Sequence, residues 1–224
     1  MKADLHWTNE EWLASAKSNL KWLNERASSE RKMMFLRHSH REVISDHSAQ
    51  LSTELTDLGK RMSYELGLRL PLGHPVRIFH SFVTRCFQTA ENIARGIRNS
   101  GGNVIDLEPL VVIASPDIFD EAVWSNLQPD GKNITDYVNN WADGKFGEMI
   151  EDFEHYRTRL LEATLGRLSN ASEPEFHIHI SHDLSLMALK RIILNRALVD
   201  SDRESFLGGV SISFDRNGIR HQSF

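Results

Sequence analysis

Met33-Met34-Phe35-Leu36-Arg37-His38-Ser39-His40-Arg41 decides how the rest of this chain is read. Four apolar residues make a short buried strand, and the run then turns abruptly cationic. The same change recurs twice. Phe176-His177-Ile178-His179-Ile180 ends in Ser181-His182-Asp183, and Val76-Arg77-Ile78-Phe79-His80 leads on to Arg85. Two histidines and several arginines therefore stand where three buried strands give out.

Working outward, the spacing of Trp12, Leu13, Ala16, Leu20 and Leu23 predicts an amphipathic helix over 9–28, with Thr8 and Glu11 matching a capping box and Trp12 in the core. Residues 45–53 are polar and read as an exposed loop. Leu55-Thr56-Asp57-Leu58-Gly59 opens a helix to about Gly67, and a turn over 71–75 leads to the strand 76–80. A helix over 84–99, stopped by Ser100-Gly101-Gly102, precedes a strand over 104–107. From 109 to 140, turn formers such as Pro116 and Pro129-Asp130-Gly131 break up short apolar runs, so an irregular insertion or lid is expected there. A helix over 146–168, the strand 176–182, a helix over 183–197 and an alternating strand 210–214 follow. Asn217-Gly218 signals a closing hairpin. Strands alternating with crossover-length helices imply one α/β domain over 1–224, a three-layer α/β/α sandwich with a mostly parallel sheet. Residues 1–30 form its N-terminal helical extension, and the hairpin adds an antiparallel edge.

The chain has 224 residues, 40% of them apolar, enough for a sizeable core. Its net charge of −5 argues against a dedicated nucleic-acid binder. A single cysteine, Cys86, excludes an internal disulfide framework and fits a reducing compartment. The N-terminal residues lack the apolar stretch of a signal peptide or membrane span, so a cytoplasmic location without membrane attachment is expected.

In open α/β sheets ligands bind beyond the carboxyl ends of the strands. Arg37 and His38, the 81–85 segment, and His182 with Asp183 all lie at such ends. The chemistry that suits them is phosphoryl transfer. A neutral imidazole of His38 attacks phosphorus in line and forms a phosphohistidine. Arg37, Arg41 and Arg85 hold the phosphoryl oxygens, because guanidinium forks bind them bidentately and keep their charge. His182 adds a hydrogen bond, and helix N-termini near Thr84 and Asp183 add dipoles of the right sign. Asp183 is the candidate acid for the leaving group, although a helix N-terminus favours its charged form and a helix-capping role would also explain it.

With those residues in place, the chain resembles the histidine phosphatase superfamily, the group containing phosphoglycerate mutases and histidine acid phosphatases. Arg37-His38-Ser39 occupies the place of its Arg-His-Gly hallmark. Ser81-Phe82-Val83-Thr84-Arg85-Cys86-Phe87-Gln88-Thr89-Ala90-Glu91 is similar to its second motif, and Leu55-Thr56-Asp57-Leu58-Gly59 resembles the helix start between them. Ser181-His182-Asp183 matches the late histidine motif, and Phe206-Leu207-Gly208-Gly209-Val210 resembles the last strand. The resemblance spans about 33–214 and implies a phosphoglycerate mutase-like fold, His38 as nucleophile, and Arg37, Arg85 and His182 completing a phosphate pocket. The His-Asp pair and Arg41 lean toward the acid-phosphatase branch, in which that Asp is the donor. The mutase branch takes its acid from a mid-chain Glu, the part Glu108 would play here.

The resemblance therefore implies a metal-independent phosphomonoester hydrolase without cofactors, acting on a small phosphorylated substrate or a phosphoprotein. Ser39 in place of glycine supplies the rival, a phosphate-binding or scaffold protein that kept the pocket and lost turnover. A phosphomutase is a further alternative. Zinc is a third possibility, since His177 and His179 share one strand face, but no cysteine pair or His-Glu-x-x-His helix supports it. Trp124 and Trp141 are read as core or lid packing. The 41–53 loop and the 109–140 insertion are expected to set the substrate.

Overall fold

The structure, a computed structural model, describes residues 5–44, 51–215 and 218–223. Six strands form one sheet: β1 (Arg31–Arg37), β2 (Val76–His80), β3 (Val104–Pro109), β4 (Phe176–Ser181), β5 (Gly209–Asp215) and β6 (Gly218–Ser223). Their spatial order is β3-β2-β4-β1-β5-β6. β1 to β4 run parallel, while β5 lies antiparallel to β1 and β6 antiparallel to β5. The expected hairpin is present, with Asn217 of its turn outside the described residues.

The helices are α1 (Leu5–Asn9), α2 (Ala14–Asn24), α3 (Asp57–Arg69), α4 (Thr84–Asn99), α5 (Ile134–Ala142), α6 (Phe153–Leu161), α7 (Arg167–Ser169) and α8 (Asp183–Leu194). Strand alternation sorts the core into two layers. Met34, Leu36, Ile78, Ile178 and Ile180 face α2, α3 and α4 through Leu20, Met62 and Ile93. Met33, Phe35, Phe79, Val210 and Ile212 face the other side, against Tyr137, Tyr156 and Met187. Each such fully buried side chain contributes about 1.5–3 kcal/mol relative to exposure. α3 and α4 come close because both lack a side chain at the crossing: a Cβ on Gly67 would lie 2.2 Å from the Ile93 carbonyl oxygen, and one on Gly96 2.3 Å from that of Tyr64.

Four expectations need correction. The N-terminal helix is not continuous: Glu10 is extended, and a 3-10 turn over Glu11–Leu13 separates α1 from α2. Thr8 therefore lies inside α1, and Glu10 takes the N-cap position before Glu11. The helix expected from 146 begins only at Phe153, because Gly147 takes φ +52 and the Asp152 carboxylate accepts from the Glu154 and His155 N–H groups as the N-cap. A π turn over Glu162–Gly166 then carries it into α7. Residues 109–140 are not merely a lid. They place Ile113, Val123, Ile134 and Tyr137 in the core and start α5. Finally, α8 stops at Leu194, where Asn195 turns left-handed at φ +49.

Candidate active site

The sheet order brings together what the sequence leaves apart. β2, β4 and β1 are neighbours, so Ser81, His182 and His38 leave adjacent strand ends. Pairing of the His38 N–H to the Ser181 carbonyl at 2.8 Å continues the β1–β4 ladder to the first of these residues. The His38 and His182 rings stand 5.6 Å apart at 65°.

The His38 Nδ1 lies 2.8 Å from the Ser39 carbonyl oxygen. A carbonyl only accepts, so Nδ1 carries the ring proton and Nε2 keeps its lone pair. His182 is set the opposite way. Its Nδ1 lies 3.1 Å from Arg85 Nη2, which only donates, and its Nε2–H donates to Ser81 Oγ at 2.9 Å. Burial, reinforced by Arg85, His182 and Arg37, holds the proton affinity of His38 well below the ordinary imidazole value. Burial and Arg85 push His182 down to about 3, against the raising influence of Asp183. Both rings are neutral in the resting site.

Around them lies a charged cluster. Arg37 Nη2 pairs with Asp183 Oδ2 at 3.1 Å, and Arg203 Nη2 reaches the same oxygen at 3.7 Å. Arg41 Nη2 pairs with Asp130 Oδ1 at 3.2 Å, while Arg203 donates to the Asp130 carbonyl at 2.6 Å. Burial raises the Asp183 pKa, but Arg37, Arg203, His182 and Arg41 outweigh it and leave a net lowering. Asp183 is therefore a carboxylate at rest. Among the described residues, the guanidiniums of Arg37, Arg41, Arg85 and Arg203 gather around the carboxylates of Asp183 and Asp130 and the His182 ring.

Most of the sequence motifs have a visible purpose here. Thr56 caps α3 by accepting from the Gly59 N–H at 3.0 Å, and Gly59 lets α3 approach the loop after β1, since a Cβ there would sit 2.2 Å from the His40 carbonyl oxygen. Gln88 Oε1 accepts from the Leu55 N–H at 2.8 Å, and Thr89 Oγ1 accepts from the Ser39 N–H at 3.1 Å. Ser39 is fully buried, its hydroxyl donates to the Gly59 carbonyl at 2.8 Å, and it is not among the positive-φ residues. His40 pairs through Nδ1 with Thr56 Oγ1 at 2.8 Å.

Other expected residues lie elsewhere. The Glu108 carboxylate pairs with Arg167 at 2.9 Å in a recess lined by Arg77, Phe79, Arg167 and His177, and it joins none of the contacts described above. His177 pairs with Glu175 at 2.8 Å, and His179 is stacked between Phe35 and Phe79. Trp12 is half-buried rather than central in the core, packed against Phe206 and His40. Trp124 stacks on Tyr137, and Trp141 packs on Phe153 and Tyr156. Arg203, Asp130 and Phe206 are the members of the site that no sequence pattern assigned to it.

Residues 33–214 match the family model described as the histidine phosphatase superfamily, branch 1. That corrects the leaning toward the acid-phosphatase branch, which rested on Arg41 and the His182-Asp183 pair alone. No curated relative matches the sequence. Among solved structures, Bacillus stearothermophilus YhfR is similar with TM-score 0.58 and 18% identity, covering 86% of this chain and 96% of that one. A phosphoserine phosphatase mutant from Entamoeba histolytica, in complex with phosphoserine, gives 0.56 at 15% identity, covering 87% and 96%. A phosphoglycerate mutase from Bacillus anthracis str. Sterne gives 0.55 at 12%, covering 89% and 95%. At these identities the likeness is one of fold.

Proposed function

The chain belongs to the histidine phosphatase superfamily, in its branch 1, and on that premise we propose that it is a metal-independent phosphomonoester hydrolase working through a phosphohistidine on His38. The observation that carries this reading is the fixed tautomer of His38. Its Nδ1–H is committed to the Ser39 carbonyl, so the Nε2 lone pair belongs to a neutral ring flanked by Arg37, Arg85 and His182. Guanidiniums gathered beside His38 suit a phosphomonoester, which carries a charge of about −1.5 to −2 at neutral pH.

In the first half-reaction Nε2 attacks phosphorus, the P–N bond forms, and the P–O bond to the leaving group breaks. Arg37 and Arg85 hold charge that spreads over the equatorial oxygens. His182, neutral at rest, gains proton affinity once a dianion lies beside it and then donates to the phosphoryl group. Asp183 undergoes the same change: an arriving dianion offsets the guanidiniums that hold its pKa down, so the carboxylate takes up a proton from solvent as substrate binds and delivers it to the departing alkoxide. In the second half-reaction Asp183 takes a proton from water as the water oxygen attacks phosphorus, the P–N bond breaks, and inorganic phosphate leaves. Ser39 supports turnover over a purely binding role, since its backbone needs no positive φ and its hydroxyl is spent on Gly59. The position of Glu108 beside Arg167 supports Asp183 as the donor.

The test is hydrolysis of p-nitrophenyl phosphate in EDTA, with acid-quench trapping of the enzyme-bound phosphate. Wild-type protein is expected to turn over and to carry an acid-labile phosphoryl group, both lost in His38→Ala by at least about a thousandfold. Turnover that EDTA abolishes, or that survives in His38→Ala, refutes the mechanism. The expected substrates are small phosphomonoesters or phosphoproteins. Among the described residues no helix is long and apolar enough to cross a membrane.

A further inference from the structure

Residues 5–32 precede the stretch that matches the family model, yet they reach the catalytic end of the sheet. The Trp12 carbonyl accepts from Ser205 Oγ at 2.6 Å. Ser15 Oγ accepts from the Gly209 N–H at 3.2 Å, and Asn19 Nδ2 donates to the Gly209 carbonyl at 3.0 Å. Ser15 and Asn19 are both buried, so these bonds are shielded from competing water.

The segment they grip, 204–209, in turn holds the reacting groups. Its Gly208 carbonyl accepts from the Arg37 N–H at 2.9 Å, and its Glu204 carbonyl accepts from Arg37 Nη1 at 3.2 Å. The Arg37 guanidinium lies over the Phe206 ring at 4.7 Å, and that ring is 5.7 Å from the His38 imidazole. Leu207 bonds back to the His38 carbonyl at 3.4 Å and sits at φ +56, a conformation a leucine keeps only when its surroundings over-determine it. Trp12 supplies part of that surrounding, with its ring edge-on to Phe206 at 6.1 Å and beside His40 at 5.9 Å.

We propose that the N-terminal segment is a positioning element of the active site: Trp12, Ser15 and Asn19 act through the 204–209 loop to fix the Arg37 guanidinium and the His38 imidazole. The inference rests on the phosphohistidine reading above. A segment that only covers the fold would add stability without altering how the site grips an oxyanion. One that positions Arg37 must alter both that grip and turnover, because small displacements of a catalytic constellation carry large rate losses.

The experiment uses the full chain and four variants: Trp12→Ala, Trp12→Phe, Asn19→Ala, and Asn24→Ala as the control, whose side chain bonds to Leu20 of its own helix. Thermal midpoints, orthovanadate inhibition constants, and kcat and KM for p-nitrophenyl phosphate are measured well below each midpoint. Trp12→Ala and Asn19→Ala are expected to weaken vanadate binding and lower kcat/KM on the order of tenfold. Trp12→Phe restores most of the loss, since it keeps an aromatic edge on Phe206, and Asn24→Ala behaves as wild type. If Trp12→Ala and Asn19→Ala lower the midpoint but leave vanadate inhibition and kcat/KM unchanged, the positioning role is overturned. Should Asn19→Ala fail to fold, Trp12→Ala decides alone, because that side chain is half-exposed and its backbone carbonyl survives the change. A wild-type protein that neither hydrolyses the ester nor binds vanadate instead refutes the phosphatase reading, and this inference falls with it.

Discussion

Ser39 stands where the family pattern has glycine, and the structure shows what the hydroxyl does with the position. It ties the loop after β1 to the first turn of α3 through Gly59, while its N–H ties the same loop to Thr89 on α4. Ser39→Gly loses one buried hydrogen bond and gains freedom in the unfolded chain. We expect a loss of about 1–2 kcal/mol in denaturant unfolding with kcat near wild type. Arg203 acts at a different point. It is one of the cations holding the Asp183 pKa down, so Arg203→Ala raises that pKa. A general acid must begin protonated, and the basic limb of the kcat profile should therefore move to higher pH. A limb that stays in place would show that another group supplies the proton. Arg37, His38, Arg85, His182 and Asp183 were legible in the sequence because each follows an apolar run that marks a strand end. Arg203 and Asp130 were not. Both lie in connections whose residues mark turns rather than a site: Arg203 on the return of the chain from α8 to β5, Asp130 on the segment between β3 and α5.

β4 carries an acid sensitivity of its own. His179 is buried between the rings of Phe35 and Phe79, each within 15° of parallel to it. Burial, with His177 and Arg167 nearby, keeps its proton affinity well below the ordinary value. As pH falls through about 6.5 the unfolded chain takes up a proton that the folded chain refuses, so stability present above that pH is lost below it. Each such histidine removes up to about 1.4 kcal/mol per pH unit. His38, His177 and His182 act in the same direction. His179→Leu should flatten the decline, read as urea midpoints at about pH 6.5 and pH 5, and equal slopes in the two proteins would exclude this origin. The boundaries of β2 and α4 were readable from the sequence because apolar spacing and the Ser100-Gly101 stop agree there. The break at Glu10 and the late start of α6 were not, because amphipathic periodicity runs on through both. A backbone turn and the Asp152 cap decide them instead.

For the molecule as a whole, the parallel order β2-β4-β1 does the assembling, since it collects three strand ends into one site from segments up to 144 positions apart, His38 to His182. The layered α/β architecture was legible from the alternation of strands and helices, whereas the strand order that makes the site was not, because many orders satisfy the same alternation. Charge is distributed unevenly: a chain of net −5 keeps a locally cationic cluster. On the phosphatase reading, dianionic substrates would be attracted at short range against a repelling background. With a Debye length of about 10 Å at 0.1 M salt, kcat/KM for p-nitrophenyl phosphate should fall as sodium chloride rises, while kcat changes little. Constant kcat/KM across that titration would show that the cationic cluster does not draw the substrate in.

That cluster also has a consequence for how the protein must be handled. On the phosphatase reading, the guanidiniums that would hold an ester would hold free orthophosphate as well, so the product would compete with what it was made from. A phosphatase of this build would slow as its output accumulates, and the assays proposed above belong in buffers free of orthophosphate.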